Sequence, residues 1–238
     1  MKLTSKILIT MLLLFIAGLF ISNSILKKEY DSVDKNDLYW NYGKILEQPF
    51  THLNIEGGNI TNIAFEQSSK ASVRIFKDWE GYQKGSVKAT VKNDTLFIKF
   101  PNTYRDIFER NWMERATLVR IFSPHLLSFT GNNTKFEMFK TIQKSLNVNL
   151  TGKSQFEMES MTTEMDSLNI VQRDSSAVVF EMSPDYKITE SFHIKNVQAD
   201  VRDVSVLDLG HAQIDSLQLS IADSSAILLS GGTLKKRK

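Results

Sequence analysis

Two hydrophobic periods divide this chain. From Ile7 to Ile21 almost every position is apolar, with Thr10, Ala17 and Gly18 as the interruptions, and the run fades through Ser22, Asn23 and Ser24 to Ile25 and Leu26. That is about 20 residues, the length a helix needs to cross a hydrocarbon core roughly 30 Å thick. From Phe50 the period drops to two. His52-Leu53-Asn54-Ile55, then Ile60, Ile63 and Phe65, then Val73-Arg74-Ile75 alternate apolar and polar, and Gly57-Gly58-Asn59 reads as a turn. Val87 to Val91 and Leu96 to Phe100 flank Asn93-Asp94, a pair that tolerates the left-handed conformation, so this stretch predicts a hairpin. Between Tyr104 and Arg115 the spacing turns helical. Ile107, Phe108, Trp112 and Met113 stand among Arg and Glu, predicting a short amphipathic helix or an excursion loop.

The second half reads as an internal repeat. Asp166-Ser-Leu-Asn-Ile-Val-Gln-Arg-Asp-Ser-Ser-Ala-Val-Val-Phe180 matches Asp215-Ser-Leu-Gln-Leu-Ser-Ile-Ala-Asp-Ser-Ser-Ala-Ile-Leu-Leu229 at an offset of 49 residues. A shorter period lies beneath it. Leu146-Asn-Val-Asn-Leu150 leads through Gly152-Lys153-Ser154 to Phe156-Glu-Met158, and Leu126 leads through Gly131-Asn132-Asn133 to Phe136-Glu-Met138. Phe192-His-Ile194 opens another unit, and the unit starts at 126, 146, 168, 192 and 217 are separated by 20, 22, 24 and 25 residues. Each unit is a strand, a polar corner and a second strand. Leu146, Val148 and Leu150 face one way and Asn147 and Asn149 the other. One such unit cannot bury its apolar face alone, whereas stacked units join their faces into one core. The expectation is therefore an all-β solenoid over residues 50–232, with an antiparallel sandwich as the competing arrangement.

The opening Phe50-x-x-Leu-x-Ile-x-Gly-Gly, the hairpin ending in Leu96-x-Ile98 and the later two-strand units resemble the auto-transporter adhesin head (GIN) domain of Bacteroidetes-type envelope proteins. The resemblance spans roughly residues 50 to 232. It implies a right-handed parallel β-helix, export and no established activity. The chain departs from the family pattern in its corners, which read Gly-Lys-Ser, Asp-Ser-Ser and Gly-Asn-Asn, and in the stretch from Tyr104 to Arg115.

Flanking charge sets the expected topology. Lys2 and Lys6 precede the apolar run, so the positive-inside rule places residues 1–6 in the cytoplasm and everything after Leu26 outside. Lys27 and Lys28 on the far flank reduce that asymmetry. Residues 7–26 are then a single transmembrane anchor in a bacterial inner membrane. The alternatives are a signal peptide cleaved near Ser22-Asn23-Ser24, which like the anchor exports the body to the periplasm or beyond, and a buried core helix, against which the segment's position and lack of a polar face argue. Residues 27–49 are polar, with an aromatic knot at Tyr39, Trp40 and Tyr42, and predict a juxtamembrane stalk; residues 233–238 form a basic tail.

The chain has 238 residues and a formal net charge of +2. Setting aside Lys2, Lys6, Lys235, Lys236, Arg237 and Lys238 leaves 23 basic residues against 27 acidic ones, so the body is near −4 and is a poor nucleic-acid binder. The absence of cysteine removes disulfides, thiolate metal sites and cysteine nucleophiles.

Candidate chemistry is thin. Asp174-Ser175-Ser176 and Asp223-Ser224-Ser225 read as backbone-bonding corners rather than nucleophiles. His52, His125, His193 and His211 lack metal-ligand spacing; His211 near Asp208 and Asp215 reads as a turn residue. Asp166, Asp200, Asp203 and Asp208 are the carboxylates a polysaccharide-active enzyme would draw on. Lys235 to Lys238 read as a solvated end rather than a lipid or polysaccharide contact. Trp79, Tyr82, Phe108 and Trp112, with Tyr104, are the candidate partner contacts, weighed against a capping role at the end of the stack. No cofactor or metal is expected. The sequence thus predicts a non-catalytic envelope interaction or adhesion module bound to the membrane by its helix, with an envelope protein or a glycan as partner. A structural or sensory partner of an inner-membrane system is the alternative, and a polysaccharide-active enzyme the remote one.

Overall fold

The computed structural model describes residues 3–101, 106–139, 142–159, 165–180 and 193–229 and falls into two compact units, Met1–Asn41 and Tyr42–Lys238. In the first unit the apolar run lies inside a longer helix, α1 (Leu3–Ser32), none of whose side chains is buried. At 30 residues it is about 45 Å long. Two hydroxyls within it are satisfied locally, Thr10 Oγ1 donating to the Lys6 carbonyl at 3.0 Å and Ser24 Oγ to that of Phe20 at 2.8 Å. Such back-bonding hides a polar group from an apolar surround. After Ser32 two Asx turns follow, the carboxylates of Asp34 and Asp37 accepting from the amides of Asn36 and Tyr39 at 3.0 and 2.9 Å.

The expected stalk is split. Tyr42 opens β1 (Tyr42–Leu46), and its hydroxyl donates to the Thr117 carbonyl at 2.7 Å. Then come β2 (His52–Glu56), β3 (Asn62–Gln67) and β4 (Ser72–Phe76), the short helix α2 (Lys77–Tyr82), and β5 (Lys88–Lys92) with β6 (Thr95–Lys99). Helix α3 (Ile107–Arg115) leads into β7 (Thr117–Ser123). Five strand pairs complete the body. They are β8 (Ser128–Asn132) with β9 (Lys135–Phe139), β10 (Ser145–Thr151) with β11 (Gln155–Met158), β12 (Met165–Gln172) with β13 (Ala177–Phe180), β14 (His193–Val201) with β15 (Val206–Asp208), and β16 (Gln213–Ile221) with β17 (Ala226–Leu228).

The all-β, right-handed parallel β-helix expected from the sequence is overturned. The body is a mixed α/β fold of two sheets, one of nine strands in the order β1-β4-β7-β3-β9-β11-β13-β15-β17 and one of eight in the order β16-β14-β12-β10-β8-β2-β6-β5. Both sheets mix strand directions: β1–β4, β4–β7 and β5–β6 pair antiparallel and the other pairs run parallel. The cause is local. Asn93 and Asp94 take φ of 49° and 60°, the geometry of a tight hairpin turn, and this reverses the chain between β5 and β6. In the nine-stranded sheet, β4 is inserted antiparallel between β1 and β7. The two segments matched in sequence, Asp166–Phe180 and Asp215–Leu229, do not touch as neighbours: β14 and β15 lie between them in each sheet.

From β8 onward the strands alternate between the sheets and pair in parallel register. Alternation along each strand sends Leu146, Val148 and Leu150 inward and Asn147 and Asn149 out to solvent. The inward residues of both sheets form one core, in which Phe129 of β8 meets Phe136 of β9 at a ring distance of 4.2 Å and Phe156 of β11 stacks on Phe136 at 6.0 Å. Burying each such side chain contributes roughly 1.5–3 kcal/mol. Corners turn on left-handed residues, Asn133, Gly152, Asp174 and Asp203, with φ between 51° and 67°. Their side chains tie one corner to the next: Asp174 accepts from the Gly152 amide at 2.7 Å and Asp203 from the Asp174 amide at 2.9 Å. The two sheets end on β16 and β17, where Leu217, Leu219 and Ile227 are only partly buried.

Candidate functional site

Three of the four aromatic candidates meet in one cluster. Helix α2 follows β4 without a side-chain cap and carries Trp79, which is fully buried, its indole Nε1 donating to Ser86 Oγ at 3.2 Å. Helix α3 is capped by Asp106, whose carboxylate accepts from the amides of Phe108 and Glu109, both at 2.9 Å. That start brings Trp112 edge-on to Trp79 at 5.4 Å, with Tyr82 5.6 Å from Trp112 and 6.0 Å from Trp79. Gln83 donates to the buried carboxylate of Glu109 at 3.1 Å and links the two helices. Trp79 is therefore corrected from a contact candidate to a core residue. Tyr82 is 45% exposed, and Phe108 stands outside the cluster at 79%. Tyr104 and Lys235 to Lys238 lie outside the described residues.

The dispersed carboxylates stay dispersed. Asp166 pairs with Lys195 at 2.7 Å, and Asp200 sits between Arg173 and Arg202 at 2.5 and 2.9 Å. These hydrogen-bonded cations hold both carboxyls below the usual range. Asp203 and Asp208 accept from backbone amides at turns. His193 faces Asp215 at 3.1 Å and His52 Nδ1 lies 2.7 Å from Ser128 Oγ, while His211 is exposed in a turn. Among the described residues, no three His, Asp or Glu side chains converge as a metal site. The Asp-Ser-Ser corners hold backbone: Ser176 Oγ meets Ser205 Oγ at 3.2 Å, and Ser225 Oγ donates to the Val201 carbonyl at 3.1 Å.

A carboxylate pair that sequence reasoning passed over lies on the outer face of the nine-stranded sheet. Glu137 of β9 and Glu157 of β11 are partners in register, both buried, with Lys135 Nζ 3.7 Å from one and 3.6 Å from the other. Burial and, next, the facing Glu157 push the Glu137 carboxyl up to about 7.

Among the described residues, two surface clefts bear on the site. One, about 300 Å³, is lined by Gly57, Gly58, Pro101, Met113 and Asn132 among others. Both glycines take φ near +85°, and a Cβ on Gly58 would stand 3.0 Å from Ile63 and Phe100 side-chain atoms, so the backbone of this wall admits only glycine. The other, about 400 Å³, runs over the outer face of the eight-stranded sheet between β12, β14 and β16, past Asn169, Val171, Gln198, Asp200, Gln218 and Ser220. Neither Glu137 nor Glu157 lines either cleft.

The second cleft belongs to a longer pattern. In-register pairing aligns Thr95, His52, Ser128, Asn147, Asn169, Gln198 and Gln218 in one outward row across seven strands. Strand spacing of about 4.8 Å makes the row about 29 Å long. The next row reads Phe97, Asn54, Thr130, Asn149, Val171, Asp200 and Ser220. Asn169 Nδ2 donates to Asn147 Oδ1 at 2.8 Å.

No family profile and no curated protein matches the sequence. Among solved structures, the chain is similar to a candidate adhesin from Bacteroides fragilis at 14% identity and a TM-score of 0.43, covering 78% of this chain and 94% of that one. A candidate adhesin from Parabacteroides distasonis gives 12% and 0.35, covering 79% and 96%. A candidate lipid-binding protein from the same organism gives 12% and 0.30, covering 79% and 92%.

Proposed function

We propose that the chain is a membrane-tethered, non-catalytic interaction module of the cell envelope, adhesin-like in the sense of the adhesin-head family it resembles in sequence, with its two-sheet body outside the cytoplasmic membrane. The observation that carries this reading is α1, 30 residues with no side chain buried and an apolar stretch long enough to cross a membrane. Support for a non-catalytic body comes from its carboxylates. Asp166 and Asp200 are neutralised by cations, and Glu137 and Glu157 lie away from both clefts.

Cell fractionation tests the tether. An intact chain in the membrane pellet, resistant to carbonate extraction and digested by protease added outside the cytoplasmic membrane, is the expected result. A body protected until that membrane is lysed overturns the reading. Retention of an N-terminal tag on the membrane-bound form distinguishes an anchor from a cleaved signal.

A further inference from the structure

We infer that the outer face of the eight-stranded sheet is a binding site for an uncharged glycan chain lying across the strands along the row from Thr95 to Gln218. The inference deepens the proposed interaction role and takes from it only that the partner is extracellular or periplasmic.

The chemistry of the row selects the ligand. An Asn or Gln amide offers two donors and an acceptor oxygen, and a hydroxyl both donates and accepts, so six of the seven strands present both kinds of group without formal charge, and His52 of β2 stands as the one imidazole. Sugar hydroxyls are donors and acceptors at once and match such a surface. Asn147 and Asn169 spend one pairing on each other, and the side-chain amides of Gln198 and Gln218 have no hydrogen-bond partner among the described residues. Exposed apolar groups stand in the adjoining row, Phe97 at 41% and Val171 at 36%, where the C–H face of a sugar ring can rest. The cleft of about 400 Å³ supplies the concavity at the β12–β16 end.

Charge and shape argue against the other occupants. The ionised groups flanking the row are paired with one another, Lys195 with Asp166 at 2.7 Å and Asp200 with Arg173 and Arg202 at 2.5 and 2.9 Å. These three cations face two carboxylates, a surplus of one positive charge, where a polyanion such as nucleic acid or a sulfated polysaccharide needs a run of them. An acidic lipid surface needs a basic cluster beside a continuous apolar wedge, whereas the exposed Phe97 and Val171 stand four strands apart on β6 and β12. A protein partner needs a central aromatic or arginine anchor in a pocket, and none of the nine residues lining the 400 Å³ cleft is aromatic or arginine.

The test uses the full chain in detergent micelles with soluble fragments of neutral glucan, mannan and galactan, alongside uronic-acid and sulfated fragments. Retention of at least one neutral fragment and of no acidic one is expected. The double variant Gln198→Ala, Gln218→Ala should bind that fragment about ten-fold more weakly, the scale of one or two lost hydrogen bonds. Both positions are exposed, so the unfolding transition should not move. Gln198→Glu, which keeps the size and adds a charge, should also weaken it, whereas Phe108→Ser, on the far helix, should not. Blank retention of all neutral fragments, preference for acidic ones, or unchanged binding by the double variant each overturns the assignment. Because purified protein is used, those results leave the location of the body to be decided by fractionation alone.

Discussion

Glu137 and Glu157 face each other across two parallel strands and share one cation, Lys135, whose Nζ stands 3.7 and 3.6 Å from their carboxylates. One lysine cannot neutralise two buried carboxylates. Gln155 adds a hydrogen bond to Glu157, Ala64 of β3 flanks Glu137 on its other side, and Glu159 adds further negative charge. The pair relieves itself by keeping a proton on Glu137.

This makes stability depend on pH in a defined direction. The Glu137 carboxyl rises from 4.5 to about 7 on folding, so between these values the folded chain holds a proton that the unfolded chain has released. Stability from this group is fully present below about 4.5 and is lost as pH rises through about 7, by about 3 kcal/mol at most. Urea midpoints measured from pH 5 to 8 should fall along that range. Glu137→Gln should flatten the fall and raise the midpoint at pH 8; an unchanged slope would refute the account.

Two glycines should answer the same substitution with opposite signs. Gly58→Ala places a methyl at φ +86° and 3.0 Å from Ile63 and Phe100, at a cost of about 1–3 kcal/mol. Gly81 lies in α2 with nothing within 4 Å of its would-be Cβ, so Gly81→Ala should stabilise by about 0.5–1 kcal/mol. Thermal denaturation of the two variants beside the parent decides it.

The aromatic cluster divides into support and surface. Trp79→Ala removes a fully buried ring and an edge-on partner of Trp112, and should cost about 3–5 kcal/mol in chemical denaturation. Phe108→Ser, at 79% exposure, should stay within about 0.5 kcal/mol of the parent. Equal effects would mean that α3 is seated differently.

A corner aspartate should behave as backbone support and not as a reactive group. Asp174 sits at φ +63° and accepts from the Gly152 amide at 2.7 Å. Asp174→Ala should lower the unfolding midpoint by the equivalent of about 1–2 kcal/mol, while Asp174→Asn, which keeps an acceptor and tolerates the left-handed turn, should recover most of it. Failure of asparagine to rescue would point to a role for the charge itself.

Local patterns were legible in the sequence where the governing physics is local. The apolar run from Ile7, the Asn93-Asp94 turn, the helical spacing from Ile107 to Met113 and the outward Asn147 and Asn149 each depend on near neighbours. Strand direction and sheet membership were not legible, because they depend on partners far along the chain. Nothing near Val73 announces that β4 runs antiparallel between β1 and β7, and that arrangement, with the two body helices, defeats the uniform solenoid. Alternation is silent on burial beneath a helix, which is why Trp79 passed for an exposed ring. The Glu137–Glu157 pair did leave a signal. Phe136-Glu-Met138 and Phe156-Glu-Met158 place two acids at matching positions, and register then sets them side by side. The outward row needs register too, since its members are unremarkable residues until seven strands align them.

Strand β2 lies between β6 and β8, with Glu56 bonded to a residue 43 positions later and His52 to one 76 positions later. During synthesis or export, then, the front of the body must wait, apolar faces uncovered, until both of its future neighbours have arrived. Closing such distant contacts is slow. Until then Leu53 and Ile55 have no cover from β6 or β8, so that interval is when the front of the body is most open to aggregation.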